Sequence, residues 1–194
     1  MDNRDSALKG NYHVGKSGIL LDSETAGVTL QDIHGLTLYQ VAAWADTMAA
    51  VGAQIASKVG IEQAPGPCRA VGVDTKAALR IEPMKWWLYG TEAPELDAEQ
   101  GAVLDISHSR TQLRVSGPEA ATLLNRFLPL DLREQSFRVG TVASTMIHHV
   151  GVTLWRSDNG YELFIPRGYA LSLWEMLVES ARQFGLEIKR PSVN

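Results

Sequence analysis

Between residues 105 and 185, strand, turn and helix signals succeed one another in an order that leaves few folds open. Residues 102–106 and 111–115 alternate as two strands. Ser116-Gly117-Pro118-Glu119 fits a capping box with proline in the first turn. Ala120, Leu123, Leu124 and Phe127 then stand one helical turn apart on a single face, and Pro129 ends that helix. Three more strands are predicted at 140–147, 150–155 and 161–165. Asp158-Asn159-Gly160 turns between the last two, because Asn and Gly tolerate positive φ. A final helix over 169–184 buries Ala170, Leu173, Trp174, Leu177, Val178, Ala181 and Phe184. Ser172, Glu175, Glu179 and Arg182 line its other side, and Gly185 stops it.

The first half carries weaker signals of the same kind. Residues 1–27 are polar and Gly-rich, with one apolar triplet, Ile19-Leu20-Leu21. They read as an extended arm that is ordered only when something holds it. Strands are expected at 28–33 and 36–43, joined through His34-Gly35. Asp46 is placed to cap a helix whose face is Met48, Val51, Gly52, Ile55 and Val59, and Gly60 to stop it. Short strands follow at 69–73, 77–81 and 85–89 after the Ala64-Pro65-Gly66-Pro67 loop. The acidic stretch 91–100, which contains Pro94, connects the halves over the surface. The fold class is therefore α+β: two strand-helix-strand halves with antiparallel sheets and packed helices. The expected organisation is an arm at 1–27 and one domain at 28–190, with halves at about 28–90 and 101–190.

Composition narrows the function. A chain of 194 residues with net charge −4 and no basic run lacks the cationic face of a nucleic-acid binder. The single cysteine, Cys68, forms no internal disulfide. The charged start at Asp2, Arg4 and Asp5 is unlike a secretory signal, and no run reaches the ~20 apolar residues of a membrane span. The expected location is the cytoplasm.

The candidate chemistry is thin. Gly10-Asn11-Tyr12-His13-Val14-Gly15-Lys16-Ser17 matches GxxxxGK[ST], but a phosphate loop needs a buried strand before it and a helix after it. Neither flank qualifies, so the match reads as part of a flexible arm. His148 and His149 are placed on a strand, where neighbours point to opposite faces, one inward and one outward; they cannot readily share a metal. Asp105, Ser107 and His108 can be assembled into a triad on paper, but alternation separates His108 from the other two. Cys68 follows Pro-Gly-Pro with no hint of an activated thiol. Trp174 reads as core. Trp86 and Trp87 are adjacent on a strand, so one should face in and one out, and an outward tryptophan can mark an interface.

Two segments carry a resemblance: LDISHSRTQLRVSGPEAATLLNRFLPLDL and VTLWRSDNGYELFIPRGYALSLWEML. They resemble the gamma subunits of heterotetrameric sarcosine oxidases. LYQVAAWAD at 38–46 and PMKWWLYG at 83–90 fit the same pattern, so the likeness spans about 6–185. More distantly, the D-x-S-H stretch at 105–108 and V-x-G-x-x-A at 115–120 resemble the glycine-cleavage aminomethyltransferases, which bind tetrahydrofolate. The resemblance implies an aminomethyltransferase-like fold without the activity. In that family a pair of acidic residues precedes the strand matching 152–156, and one is central to folate chemistry; here Val150-Gly151 stands there. A carboxylate can hold and polarise an amine-bearing pterin; valine and glycine cannot. The family's polar stretch after the next strand is likewise replaced by Ile165-Pro166-Arg167.

The resemblance thus implies a small, non-catalytic packing subunit. Catalytic, cofactor-binding and metal-binding residues are all expected to be none in this chain. FAD, FMN, NAD and tetrahydrofolate are expected in the larger flavin- and folate-binding subunits of the complex. That complex oxidises sarcosine to glycine and passes the one-carbon unit to folate. The arm would then wrap a partner. Three alternatives stay open: the equivalent subunit of an N-methylglutamate dehydrogenase, a stand-alone folate-binding or aminomethyl-transferring protein, and a homo-oligomeric structural module.

Overall fold

The computed structural model describes residues 5–18 and 25–193. The Ile19-Leu20-Leu21 triplet lies outside them. Thirteen strands and three α-helices are described: β1 (Gly15–Ser17), β2 (Val28–His34), β3 (Leu38–Ala43), α1 (Met48–Val59), β4 (Ala70–Val73), β5 (Lys76–Glu82), β6 (Lys85–Tyr89), β7 (Gly101–Asp105), β8 (Arg110–Ser116), α2 (Ala120–Leu124), β9 (Val142–Ile147), β10 (Val150–Ser157), β11 (Gly160–Pro166), α3 (Ala170–Ala181), β12 (Leu186–Ile188) and β13 (Ser192–Val193).

They form two sheets. The larger has the order β1-β12-β2-β8-β11-β10-β9, with β13 also on β2; the smaller has the order β4-β5-β6-β3-β7. Each half lends the other a strand: β2 sits inside the larger sheet, and β7 pairs with β3 at the edge of the smaller one. Backbone hydrogen bonds join the sheets at one corner, where Arg69 bridges Thr141 and the Ala70 N–H donates to the Gly140 carbonyl. Most pairs are antiparallel, as expected. Two are not: β12 and β13 run parallel to β2. The chain crosses the sheet as α3 before returning, and such a crossover delivers a parallel strand.

Strand alternation stacks these pieces in four layers. Val41, Ala43, Ala78, Trp86 and Leu88 of the small sheet pack on Val51, Ile55 and Val59 of α1. Leu38, Leu79, Trp87 and Tyr89 on the opposite face meet Val142 and Phe164 of the large sheet. The far face of the large sheet, with Leu30, Leu113, Val115, Leu154, Leu163 and Ile165, is covered by α2 and α3 through Leu123, Leu124, Leu173, Trp174 and Leu177. Trp86 and Trp87 are therefore both buried, 2% and 3% exposed, contrary to the one-in, one-out expectation. Alternation did send them to opposite faces, but both faces of β6 are covered.

Other local expectations are corrected too. Thr47, not Asp46, precedes α1, and its hydroxyl donates to the Gln100 carbonyl and accepts from the Trp44 N–H instead of capping the helix. Gly60 does stop α1, its N–H on the Ala56 carbonyl. The capping box at 116–119 does not form: Ser116 stays in β8, and α2 starts three residues after Gly117 with no side-chain cap. Gly117 has φ 104, and a Cβ there would lie 2.5 Å from the Gly27 carbonyl oxygen. Only glycine allows the chain to turn so close to β2. α2 itself ends at Leu124, before Pro129, although hydrogen-bonded turns continue to Leu128. At the β10–β11 turn only Gly160, not Asn159, takes positive φ.

The described part of the arm is held by its own chain. Leu8 is fully buried in the core beneath α3, and the Tyr12 ring lies 5.5 Å from that of Trp174. The Ser6 hydroxyl donates to Asp32 Oδ2 at 2.6 Å, Arg167 donates to the Asp5 carbonyl at 2.8 Å, and β1 pairs with β12. Leu8→Ala is expected to lower unfolding free energy by about 2–5 kcal/mol, measured by urea denaturation; a change under ~0.5 kcal/mol would show that this docking adds nothing to stability.

Candidate functional site

Buried polar groups concentrate between the two sheets. Alternation along β8 turns Gln112 and Arg114 toward the small sheet, and β11 places Glu162 directly opposite Arg114. From the small sheet β6 contributes Tyr89; the end of β10 contributes Ser157. Glu162, only 1% exposed, receives three hydrogen bonds: Gln112 Nε2 to Oε2 at 2.7 Å, and Arg114 Nε at 2.6 Å and Ser157 Oγ at 2.9 Å to Oε1. Gln112 Nε2 also donates to the Tyr89 hydroxyl at 3.1 Å. Burial pushes the Tyr89 phenol up to about 12, partly opposed by the Gln112 hydrogen bond.

Above this network a cleft of about 260 Å³ opens between the β4–β5 turn and the β10–β11 hairpin. Arg114 and Glu162 line it together with Lys76, Trp155, Asp74 and Asp158. A carboxylate engaged three times over is a poor general base, and a phenol held neutral is a poor nucleophile. The arrangement orients a guanidinium; it is not built for moving protons.

None of the other candidates converges. Val150 and Gly151 lie at the start of β10 opposite Ile147 and Met146, and a side chain on Gly151 would meet open space. Neither residue carries a carboxylate. Pro166 pairs with Arg110, and the Arg167 N–H donates to the Ser109 carbonyl. His148 and His149 are not on a strand: they form the two-residue turn between β9 and β10, both exposed, His148 with φ 53. The inward histidine expected there does not exist, because the strands end at Ile147 and restart at Val150. Ser107 exchanges two hydrogen bonds with the Leu38 backbone, Asp105 Oδ1 accepts the Ser107 N–H, and His108 is exposed on the turn. Gly15, Lys16 and Ser17 form β1 opposite Ile188, Glu187 and Leu186, so their amides alternate in a ladder instead of converging on a phosphate. Cys68 is an exposed free thiol with φ 57, its N–H on the Arg80 carbonyl and its own carbonyl accepting from Val142. Among the described residues no three His, Cys, Asp or Glu side chains gather to hold a metal ion, and no helix is long and apolar enough to cross a membrane.

Sequence reasoning missed Glu162, Gln112, Arg114 and Tyr89. It also missed Asp32, a second buried carboxylate, whose Oδ2 contacts His34 Nε2 at 2.8 Å as well as Ser6. One signal was present: Glu162 interrupts an otherwise apolar run, YELFI. Gln112 and Arg114 gave none, since alternation with Leu113 and Val115 is what a solvent-facing strand shows.

Known proteins resemble the chain over more than half of its length. The family model described as GCVT N-terminal domain matches residues 76–189. The sarcosine oxidase subunit gamma of Corynebacterium sp. strain U-96 is 31% identical over 156 residues, covering 75% of this chain and 76% of that one. A solved heterotetrameric sarcosine oxidase from Corynebacterium sp. U-96, in complex with pyrrole 2-carboxylate, superposes with TM-score 0.71 at 25% identity, covering 81% of this chain and 85% of that one. The glycine cleavage system aminomethyltransferase T of Bartonella henselae shares the fold, with TM-score 0.55 at 19% identity over 86% of this chain and 48% of that one.

Two outcomes are expected from the network. Glu162→Gln removes the charge facing Arg114 and should cost about 3 kcal/mol in urea denaturation, whereas a neutral effect would mean that the pair contributes nothing. Tyr89 ionises later when folded than when unfolded, so stability should fall as pH rises from about 10 toward about 12. Tyr89→Phe should flatten that decline, measured as Tm against pH.

Proposed function

Because the chain belongs to the GCVT N-terminal domain family and to the gamma subunits of sarcosine oxidase, we propose that it is the small, non-catalytic subunit of a heterotetrameric sarcosine oxidase. The observation that carries this reading is the reciprocal match: about three quarters of both sequences align, and both folds superpose over more than four fifths of their lengths. A likeness of that extent concerns the whole two-sheet body, not one motif within it.

The chemistry of the interior supports a non-catalytic role. Glu162 is held by three donors, and the acid-pair position is occupied by Val150-Gly151. FAD, FMN, NAD and tetrahydrofolate are then held by the larger subunits, where sarcosine is oxidised to glycine and the one-carbon unit passes to folate. The single free cysteine is compatible with a reducing compartment, which supports a cytoplasmic complex. Partner subunits would meet surfaces such as the β7 edge, where Val103 and Leu104 are exposed.

The test is co-expression with the large flavin and folate subunits of a heterotetrameric sarcosine oxidase, followed by size-exclusion chromatography. Co-elution in fixed ratio is expected, with no heat on titrating the isolated chain with tetrahydrofolate. Elution of the chain alone together with saturable folate binding would instead identify a stand-alone folate protein.

A further inference from the structure

The cleft above Glu162 has the makings of a receptor. Arg114 is anchored by its Nε on a carboxylate that is itself buried and fixed by Gln112 and Ser157. Among the described residues its two Nη groups have no hydrogen-bond partner, and the residue lines the cleft. A guanidinium fixed in this way has lost its side-chain freedom in advance, and its remaining donors suit a carboxylate. Lys76, on the neighbouring wall, adds a second positive charge, and Trp155 supplies an aromatic surface packed edge-on against Tyr89 at 5.6 Å.

Two features limit what fits. The volume of about 260 Å³ falls below the ~300–1,000 Å³ of drug-sized sites. Asp74 and Asp158 also line the cleft and oppose multiply charged anions. The remaining lining cation, Arg156, is directed elsewhere: its guanidinium stacks 4.6 Å from the centre of the Tyr161 ring on the other face of the sheet.

We propose that this cleft binds a small monocarboxylate, with Arg114 and Lys76 as its cationic contacts. The site lies at the opposite end of β10 from Val150-Gly151, so it is separate from the acid-pair position, and it does not depend on the subunit assignment above.

The test is a titration of the full-length chain with sodium acetate, against sodium chloride and inorganic phosphate at matched ionic strength, followed by NMR of the arginine side-chain and tryptophan indole signals. Acetate should shift the Arg114 and Trp155 signals saturably, with phosphate weaker and chloride without saturation. Lys76→Ala, a surface change with no bearing on folding, should weaken acetate binding several-fold. Arg114→Lys, which loses the fork, should abolish it. Linear, chloride-like shifts would overturn the proposal. So would binding that both variants leave unchanged, or, where Arg114→Lys fails to fold, binding indifferent to Lys76→Ala.

Discussion

The small sheet lies across the large one, and the rest of the structure depends on that contact. Trp87 meets Phe164 edge-to-face at 5.7 Å, and Tyr89 meets Phe164 at 6.2 Å and Trp155 at 5.6 Å. Such geometry suits the quadrupoles of aromatic rings and fixes the two sheets laterally. Once they are stacked, each sheet has one face left to cover. α1 closes the small sheet, and α2, α3 and Leu8 of the arm close the large one.

The same contact explains why a polar network sits in the interior. Gln112, Arg114 and Glu162 would be unremarkable on a solvated strand face. Covered by a second sheet, the Glu162 carboxylate must be paired, because an unpaired buried charge costs several kcal/mol, on the order of 3–5. The resulting network holds Glu162 too firmly for proton transfer.

Local structure was well legible wherever short-range rules act alone. β6 was read at its true limits, α1 and α3 were found with their buried faces, and Gly60 was found as the stop of α1. Reading failed where a distant backbone overrode a local motif. The capping box at 116–119 gave way to the close passage of Gly117 over Gly27, and the His148-His149 pair became a turn because pairing of β9 with β10 required one there.

The residue order by itself determined the limits of β6, the buried faces of α1 and α3, and the stop of α1 at Gly60. These follow from steric preferences and side-chain chemistry within a few neighbours. Only the tertiary structure decided that Trp86 and Trp87 are both buried, that β2 and β7 belong to the opposite sheets, and that Glu162 is neutralised by Arg114 instead of exposed to solvent. The physical reason is the same in each case. A strand has two faces and two edges, and what covers them is supplied by segments tens of residues away, on which local periodicity is silent.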